Sequence, residues 1–142
     1  MQPSVREALA GDAQRIAQLC GQLGYNVPLE HVEHVLALPR PDSALYVAVV
    51  PRAGVVGWIS VSVRLSLLSG ARAEIEGLVV EDEYRGSGTG TLLAAAAESW
   101  ARRRGCTQVR VASNAVRERA HRFYLRNGYR ALKTQTVFGK DL

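Results

Sequence analysis

Alternation of apolar and polar residues is clearest between residues 55 and 65. From Ile59 to Leu65 every second side chain is branched aliphatic and the residues between are polar, which is the period of a β-strand. The apolar positions are Ile59, Val61, Val63 and Leu65, and the polar positions are Ser60, Ser62 and Arg64. The pattern predicts a strand over residues 55–65 with one apolar face and one polar face.

Further strands are predicted on both sides of this one. Residues 45–50 are apolar and end at a turn rich in proline and glycine, so they form a hairpin with residues 55–65. Residues 75–80 are mostly apolar and rich in β-branched side chains, as expected for a buried strand, and Glu74 and Glu76 share one face of the strand. The remaining strands are predicted at residues 5–9, at residues 107–112, and as a last pair within residues 129–140.

Helical periodicity separates these strands. Apolar side chains recur on one helical face from the glycines near residue 88 to an arginine cluster, which predicts a long helix over residues 88–104. Its inward positions are Leu92, Leu93, Ala96, Ala97 and Trp100. Three shorter helices have inward positions at Ile16, Leu19, Cys20 and Leu23, at Val32, Val35 and Leu36, and at Ala120, Phe123 and Tyr124. The last of them is predicted to end at Asn127-Gly128. The order β-α-α-β-β-β-α-β-α-β predicts an α/β layered domain with a mixed sheet.

Length and composition are those of one ordinary globular domain. The chain has 142 residues, of which 47% are hydrophobic and 22% charged. No apolar run approaches the roughly 20 residues of a membrane span, and the first residues lack the apolar segment of a signal peptide. Cys20 and Cys106 stand alone, without metal or redox spacing. We therefore expect a cytoplasmic protein with two reduced thiols and no membrane partner.

The net charge of +5, from 18 basic and 13 acidic residues, raises the question of nucleic-acid binding. The arginines argue against it, because they alternate with apolar positions rather than with aromatic residues that could stack on bases. Three of them end the long predicted helix, where positive charge suits the helix dipole. We expect no nucleic-acid partner.

A glycine-rich turn between the strand at 75–80 and the long helix carries the clearest chemical signal. Its glycines permit a sharp turn, and the helix N-terminus after them offers free N–H groups to an anion, with the charge of Arg85 at its mouth. The turn lacks the Gly-Lys pair of a Walker loop and fails the dinucleotide fingerprint in both frames. What it satisfies is Arg-x-x-Gly-x-Gly, with Arg85, Gly88 and Gly90. The predicted ligand is a phosphate.

This motif resembles the acyl-CoA pyrophosphate loop of the GNAT superfamily of N-acetyltransferases. A second motif agrees with it, because Asn114, Ala120, Phe123-Tyr124 and Gly128-Tyr129 resemble the GNAT pattern after its fifth strand. Within the superfamily, residues 119–129 and the Phe138-x-Lys140 ending look most like the aminoalkylphosphonate N-acetyltransferases. The resemblance implies a single-domain GNAT-type fold over residues 1–142, with a central mixed, mostly antiparallel sheet flanked by helices.

The resemblance also implies acetyl-CoA as cosubstrate and a set of residues that hold it. The backbone of Leu78, Val79 and Val80 would pair with the pantetheine arm as an added strand would. The pyrophosphate would lie on Arg85, Gly86, Ser87, Gly88, Thr89, Gly90 and Thr91. Asn114 either hydrogen-bonds the pantetheine or caps the following helix. No metal site is expected, since His31 and His34 lack a third ligand.

For the base that deprotonates the acceptor ammonium, Glu74 matches the family's glutamate best and Glu76 is the alternative. A salt bridge to Arg64 or Arg72 would explain these carboxylates equally well. Tyr124 lies where the family places a tyrosine near the sulfur, so it is the expected acid for the departing thiolate. It also falls on the inward face of its helix, as a core aromatic residue would.

The resulting prediction is an N-acetyltransferase that moves an acetyl group from acetyl-CoA to a primary amine of a small molecule, by direct attack in a ternary complex. The alternatives are a protein N-terminal or lysine acetyltransferase and a non-catalytic acyl-CoA-binding regulatory module. The apolar run Thr136-Val137-Phe138 would give the last strand an edge able to pair with a second copy, which predicts a homodimer.

Overall fold

The computed structural model of the protein describes residues 2–113 and 118–142. The chain divides into two compact units, Met1–Ala112 and Ser113–Leu142. The described strands of the first unit are β1 Ser4–Glu7, β2 Ser43–Val50, β3 Gly54–Ser66, β4 Gly70–Val80 and β5 Val109–Val111. Its described α-helices are α1 Ala13–Cys20, α2 Leu29–Ala37 and α3 Thr89–Arg103. These elements confirm the predicted order from the first strand to the strand that follows α3.

The five strands form one sheet in the order β1-β2-β3-β4-β5. Neighbours from β1 to β4 are antiparallel, whereas β4 and β5 are parallel. A parallel pair needs a crossover connection, and α3 supplies it between these two strands. The predicted mixed, mostly antiparallel sheet is confirmed.

Both faces of the sheet are covered by helices. Gly57 and Ile59 lie on one face, where a Cβ added to Gly57 would come 3.2 Å from Cδ1 of the fully buried Leu93 of α3. Trp58 and Val79 are opposite each other on the other face, in one apolar cluster with side chains from α1 and α2. Residues that alternate along β3 therefore enter two different cores.

The buried side of α3 differs slightly from the predicted one. Its buried residues are Thr89, Leu93, Ala94, Ala97, Trp100 and Ala101. Leu92, predicted to point inward, is 39% exposed. The apolar stripe of this helix is wide and built largely of alanine, so periodicity alone does not fix which row meets the sheet. Within the described residues, no helix has the length and apolar content to cross a bilayer.

The second unit contains α4, Glu118–Arg126. The helix ends at Asn127-Gly128, as predicted. Nδ2 of Asn127 donates a hydrogen bond to the carbonyl of Phe123 at 2.9 Å, and Gly128 adopts the left-handed conformation with φ 88°.

The predicted strand pair within residues 129–140 is wrong. Residues 129–142, all of them described, contain neither helix nor strand. The apolar side chains that suggested a strand are exposed, Val137 by 83% and Phe138 by 89%. A β-strand is stable only when its backbone N–H and C=O groups pair with a neighbour, and no ladder reaches this segment among the described residues.

Candidate active site

One edge of β4 is left without a neighbouring strand near its end. β4 pairs with β3 as far as Val80, but it pairs with β5 only from Ala73 to Ile75. Within the described residues, the β5 side of residues 76–80 therefore has no partner strand. An open strand edge offers alternating N–H and C=O groups to an extended ligand. Leu78, Val79 and Val80, predicted to hold the pantetheine arm, lie on this segment.

A β-bulge lies at the point where the pairing with β5 stops. Ser60 of β3 is opposite Gly77, but its neighbour Val61 is opposite Ile75, so Glu76 is the extra residue of β4. The exposed Glu76 carboxylate accepts a hydrogen bond from Ser60 Oγ at 3.2 Å. Bulges redirect a side chain relative to the regular pleat, and this one presents Glu76 next to the open edge.

Gly77 of this bulge lies directly beneath the indole ring of Trp58. A Cβ added to Gly77 would come 2.7 Å from Cη2 and 2.8 Å from Cζ3 of that ring. Real carbon–carbon contacts lie at about 3.5–4.0 Å. The conformation of the bulge therefore depends on glycine at position 77.

The two carboxylates differ in their surroundings. Glu74 is opposite Ser62, and its Oε1 accepts from Nε of Arg72 at 3.1 Å, so the predicted alternative of an ion pair with Arg72 is present. Glu76 accepts from Ser60, which shares the polar face of β3 with Ser62. The two glutamates therefore share one face of the sheet, as predicted.

The glycine turn before α3 has the geometry of an anion site. Gly86 and Gly88 have φ angles of 80° and 87°, and a Cβ on either would meet nothing within 4 Å. No side chain caps the N-terminus of α3. The N–H of Leu92 donates a hydrogen bond to the carbonyl of Gly88 at 3.0 Å. The N–H groups of residues 89–91 thus form the open N-terminus of a 15-residue helix.

Side chains of the turn hold it in this shape. Nε of Arg85 donates to the carbonyl of Val80 at 3.1 Å, and its Nη1 forms an ion pair with Asp82 at 2.7 Å. The Ser87 hydroxyl donates to the carbonyl of Tyr84 and lies 2.8 Å from Oγ1 of the fully buried Thr89. The charge of Arg85, expected at the mouth of the turn, is therefore paired with Asp82.

The profile of the acetyltransferase (GNAT) family matches residues 13–129. The chain belongs to this family. It is therefore an acyl-CoA-dependent N-acetyltransferase, and acetyl-CoA is the cosubstrate that the family uses.

Two known enzymes are similar to this acetyltransferase. The aminoglycoside N(6')-acetyltransferase type 1 of Stenotrophomonas maltophilia is 28% identical over 148 aligned positions, covering 99% of this chain and 94% of that protein. The aminoalkylphosphonate N-acetyltransferase of Salmonella typhimurium is 42% identical over 77 residues, but these cover only 54% of this chain and 50% of that enzyme. The resemblance to the second subgroup is thus limited to about half of each chain.

A solved structure confirms the fold of the acetyltransferase. AAC(6')-Iy in complex with the bisubstrate analogue CoA-S-monomethyl-acetylneamine matches it with a TM-score of 0.85, covering 100% of each chain at 18% identity. At this level of identity the likeness establishes the fold and leaves the acceptor open.

Tyr124, the predicted acid of the acetyltransferase, belongs to the second unit. Its ring makes edge-to-face contacts with Phe123 and Tyr129, with ring centroids 5.2 and 5.4 Å apart. Burial raises the pKa of Tyr124 to about 12, because the charged phenolate loses its hydration there. The phenol is therefore fully protonated at neutral pH. Asn114, the other site residue predicted on this part of the chain, lies outside the described residues.

Two arginine contacts of the acetyltransferase have no signal in the sequence. Nε of Arg15 on α1 donates to the carbonyl of Val55 at 2.9 Å, and its guanidinium forms an ion pair with Glu81. Glu81 directly follows β4, so α1 fixes the end of the open strand edge. Arg15 and its partners are at least 40 positions apart in the sequence, and no local pattern connects them.

No metal site is found among residues 2–113 and 118–142, where no three His, Cys, Asp or Glu side chains are placed to hold one ion. His31 and His34 are exposed on α2.

Proposed function

We propose that this protein transfers the acetyl group of acetyl-CoA to a primary amine of a small molecule, by direct attack in a ternary complex. The observation that carries this proposal is the continuity of three features within the first unit. The unpaired edge of β4 begins at a bulge with an exposed carboxylate and leads directly into an anion-binding turn. A long thioester ligand with a pyrophosphate fits such a track, with its reacting end beside the carboxylates.

The donor is held by groups along this track. Backbone N–H and C=O groups of Leu78, Val79 and Val80 pair with the amides of the pantetheine arm. The turn binds the pyrophosphate through Arg85, Gly86, Ser87, Gly88, Thr89, Gly90 and Thr91, with Asn114 as a further hydrogen-bonding residue of the donor site. The N–H groups at the start of α3 supply most of the attraction, since Arg85 is paired with Asp82.

The nitrogen of the acceptor must lose two protons in all, and the departing thiolate must gain one. The ammonium first loses a proton through water to a carboxylate, and the neutral nitrogen then attacks the thioester carbonyl carbon. The C–S bond breaks, the thiolate of coenzyme A takes a proton from the acid, and the second proton of the nitrogen returns to the acid, which leaves the neutral amide. We assign the base to Glu74, which matches the family's glutamate best. Glu76 stays as the alternative, because it is exposed whereas one oxygen of Glu74 is engaged by Arg72. Tyr124, protonated at neutral pH, is the proposed acid.

The proposed acceptor is a small amine because both similar enzymes bear the names of small-molecule acetyltransferases. They differ in the class of amine, an aminoglycoside in one and an aminoalkylphosphonate in the other. We further propose that residues 1–142 act as a single domain, that two chains form a homodimer, and that the protein is cytoplasmic. The free, buried thiols of Cys20 and Cys106 support this location.

The test is an amine panel with acetyl-CoA, followed by release of free thiol. The panel contains an aminoglycoside, an aminoalkylphosphonate, a peptide with a free N-terminus and a peptide with one lysine. Turnover of either small amine supports the proposal, and preference for a peptide would favour a protein acetyltransferase. Binding of acetyl-CoA without thiol release on any amine would identify a non-catalytic acyl-CoA-binding module.

The Glu74→Gln and Glu76→Gln variants identify the base. Loss of the base should cost most at low pH, where the amine is protonated, and high pH should recover much of the rate. Whichever variant shows this pH dependence has lost the base, and the other carboxylate then has a structural role.

A further inference from the structure

The sheet face that carries the two glutamates changes from apolar to polar along its strands. Val47, Trp58 and Val79 lie side by side on β2, β3 and β4 and belong to the cluster with α1 and α2. Farther along the same face, Ser43, Ser62 and Glu74 are aligned in the same way. The polar row lies past the apolar cluster, so it is suited to contact a ligand rather than a core.

The next cross-strand pair on this face consists of two arginines. Arg64 of β3 is directly opposite Arg72 of β4. Like charges in directly opposed positions of an antiparallel pair destabilise it. Arg72 is satisfied within the protein, because Nε contacts Glu74 at 3.1 Å and Nη1 donates to Ser69 Oγ at 3.0 Å.

Arg64 has no comparable partner. Its side chain is exposed, and the described residues offer it no hydrogen bond or ion pair. Among the described residues of β3 and β4 on this face, Glu74 compensates Arg72, which leaves the carboxylate of Glu76 and the guanidinium of Arg64 without an ion pair. Arg110 of β5 lies opposite Glu74 on the same face, and its Nε donates to Oε1 of Gln108 at 2.8 Å. Arg64 lies four positions after Ser60, the partner of Glu76, which is about 13 Å between Cα atoms along β3. The side chains and a small acceptor together can fill this distance.

We propose that Arg64 binds an acidic group of the acceptor, so that the acceptor is an amine that also carries a carboxylate or a phosphonate. The ammonium lies toward the carboxylates of Glu74 and Glu76 and the anionic group toward Arg64, whose planar guanidinium matches the two oxygens of either acid. An anion there also relieves the repulsion between Arg64 and Arg72. A polycationic amine would instead meet an uncompensated positive charge. This assignment rests on the proposed acetyl transfer to a small amine.

The experiment compares amines of equal chain length whose second group differs. The four amines are an aminoalkylphosphonate, an aminoalkyl carboxylate with its amine at the far end of the chain, an amino alcohol and a diamine, each assayed by thiol release. We expect the acidic amines to give at least tenfold higher kcat/KM than the amino alcohol. The acidic amine with the higher kcat/KM shows whether Arg64 binds a phosphonate or a carboxylate. A higher kcat/KM for the diamine, or for an aminoglycoside, would overturn the assignment.

The Arg64→Gln variant tests the residue itself. It should raise KM for the acidic amines by about 10- to 100-fold, as expected for the loss of a charged hydrogen bond, with kcat and the KM of the amino alcohol unchanged. Arg64→Lys should restore part of the affinity. Arg52→Gln removes the same charge from an exposed turn at the other end of β3, about 40 Å away, and should leave every KM unchanged.

Two failures are distinguishable. If no amine releases thiol from the wild-type protein, the proposed function fails, and with it the acceptor assignment. If the amines are acetylated but Arg64→Gln changes KM equally for acidic and neutral ones, only the assignment of Arg64 is refuted. Because Arg64 is exposed, unpaired within the described chain and opposite the like-charged Arg72, the variant should melt at or slightly above the temperature of the wild type, and thermal unfolding checks that a KM change is not a folding defect.

Discussion

Replacement of Gly77 by alanine tests whether the bulge at Glu76 is held by packing. The added methyl carbon would lie 2.7 Å from Cη2 of Trp58, so the ring or the strand must move by about 1 Å to restore an ordinary contact. The ring has little room, because Trp58 is only 9% exposed and packs with side chains of α1 and α2. Overpacking of a core costs about 1–3 kcal/mol. For a chain of this size we expect Tm to fall by roughly 3–10 °C.

The assay is thermal unfolding together with acetyl-transfer kinetics. Gly11→Ala is the matched control, since Gly11 is exposed and a Cβ there meets nothing within 4 Å. Its free energy of unfolding should stay within about 0.5 kcal/mol of the wild type. At a temperature where the variants are fully folded, Gly77→Ala should also lower kcat/KM, because the adjoining Glu76 moves with the bulge.

A second substitution separates packing from backbone effects. In a Trp58→Leu background the ring that Gly77→Ala would strike is gone, so the added methyl group should cost less than about 0.5 kcal/mol. Each variant is compared with its own parent. If Gly77→Ala melts within 1 °C of the wild type, or costs the same with leucine at position 58, contact with the indole ring does not shape the bulge.

Three further outcomes are expected. Gly88→Val should weaken acetyl-CoA binding, measured by calorimetry, because the left-handed backbone disfavours a branched residue and the new side chain would occupy the open turn. Unchanged affinity in a folded variant would exclude this turn as the phosphate site. Tyr124→Phe should lower kcat by about 10²- to 10⁴-fold with little change in acetyl-CoA affinity. The variant should also lack the tyrosine that titrates at about pH 12 in the wild type. Because the folded protein holds the Tyr124 pKa at about 12, the wild type loses stability as pH rises from about 10 to about 12, and the variant should not show this loss. If the variant turns over like the wild type, Tyr124 is a core aromatic residue and not the acid. The Arg6 guanidinium lowers the pKa of Asp12, so Asp12→Asn should destabilise the protein by about 1 kcal/mol at neutral pH. The difference in unfolding free energy between wild type and variant should shrink as pH falls through the lowered pKa of Asp12. A difference that stays constant with pH would refute the ionic contribution.

Local patterns predicted the parts of the fold that depend on neighbouring residues. The alternation at 55–65, the helix after Gly88 and the Asn127-Gly128 helix end all agree with the structure. The strand pair within 129–140 failed for the opposite reason, because a strand exists only with a partner and apolar alternation does not supply one. The bulge at Glu76 was equally hidden, since it is a mismatch between two strands and neither strand shows it alone.

The proposed donor site could be predicted from sequence only for its turn. Spacing within six residues singled out Arg85, Gly88 and Gly90, and the left-handed φ of Gly88 explains why glycine is needed there. Spacing could not show that Asp82 pairs with Arg85, so of the two expected sources of attraction the backbone N–H groups remain without a counter-charge.

One inserted residue accounts for two properties of the site. Pairing between β4 and β5 ends at Ile75, and the next residue, Glu76, is the extra residue of the bulge. A bulge increases the local twist of its strand, so residues after it can stay in register with β3 while they leave the plane shared with β5. The same insertion therefore coincides with the start of the open edge and with the contact of the Glu76 carboxylate to Ser60 of β3. The open segment is then fixed at both ends, by the Trp58 ring over Gly77 and by the ion pair of Glu81 with Arg15. A strand edge held in this way is preorganised for an extended ligand, so the ordering cost at binding falls mainly on the pantetheine arm.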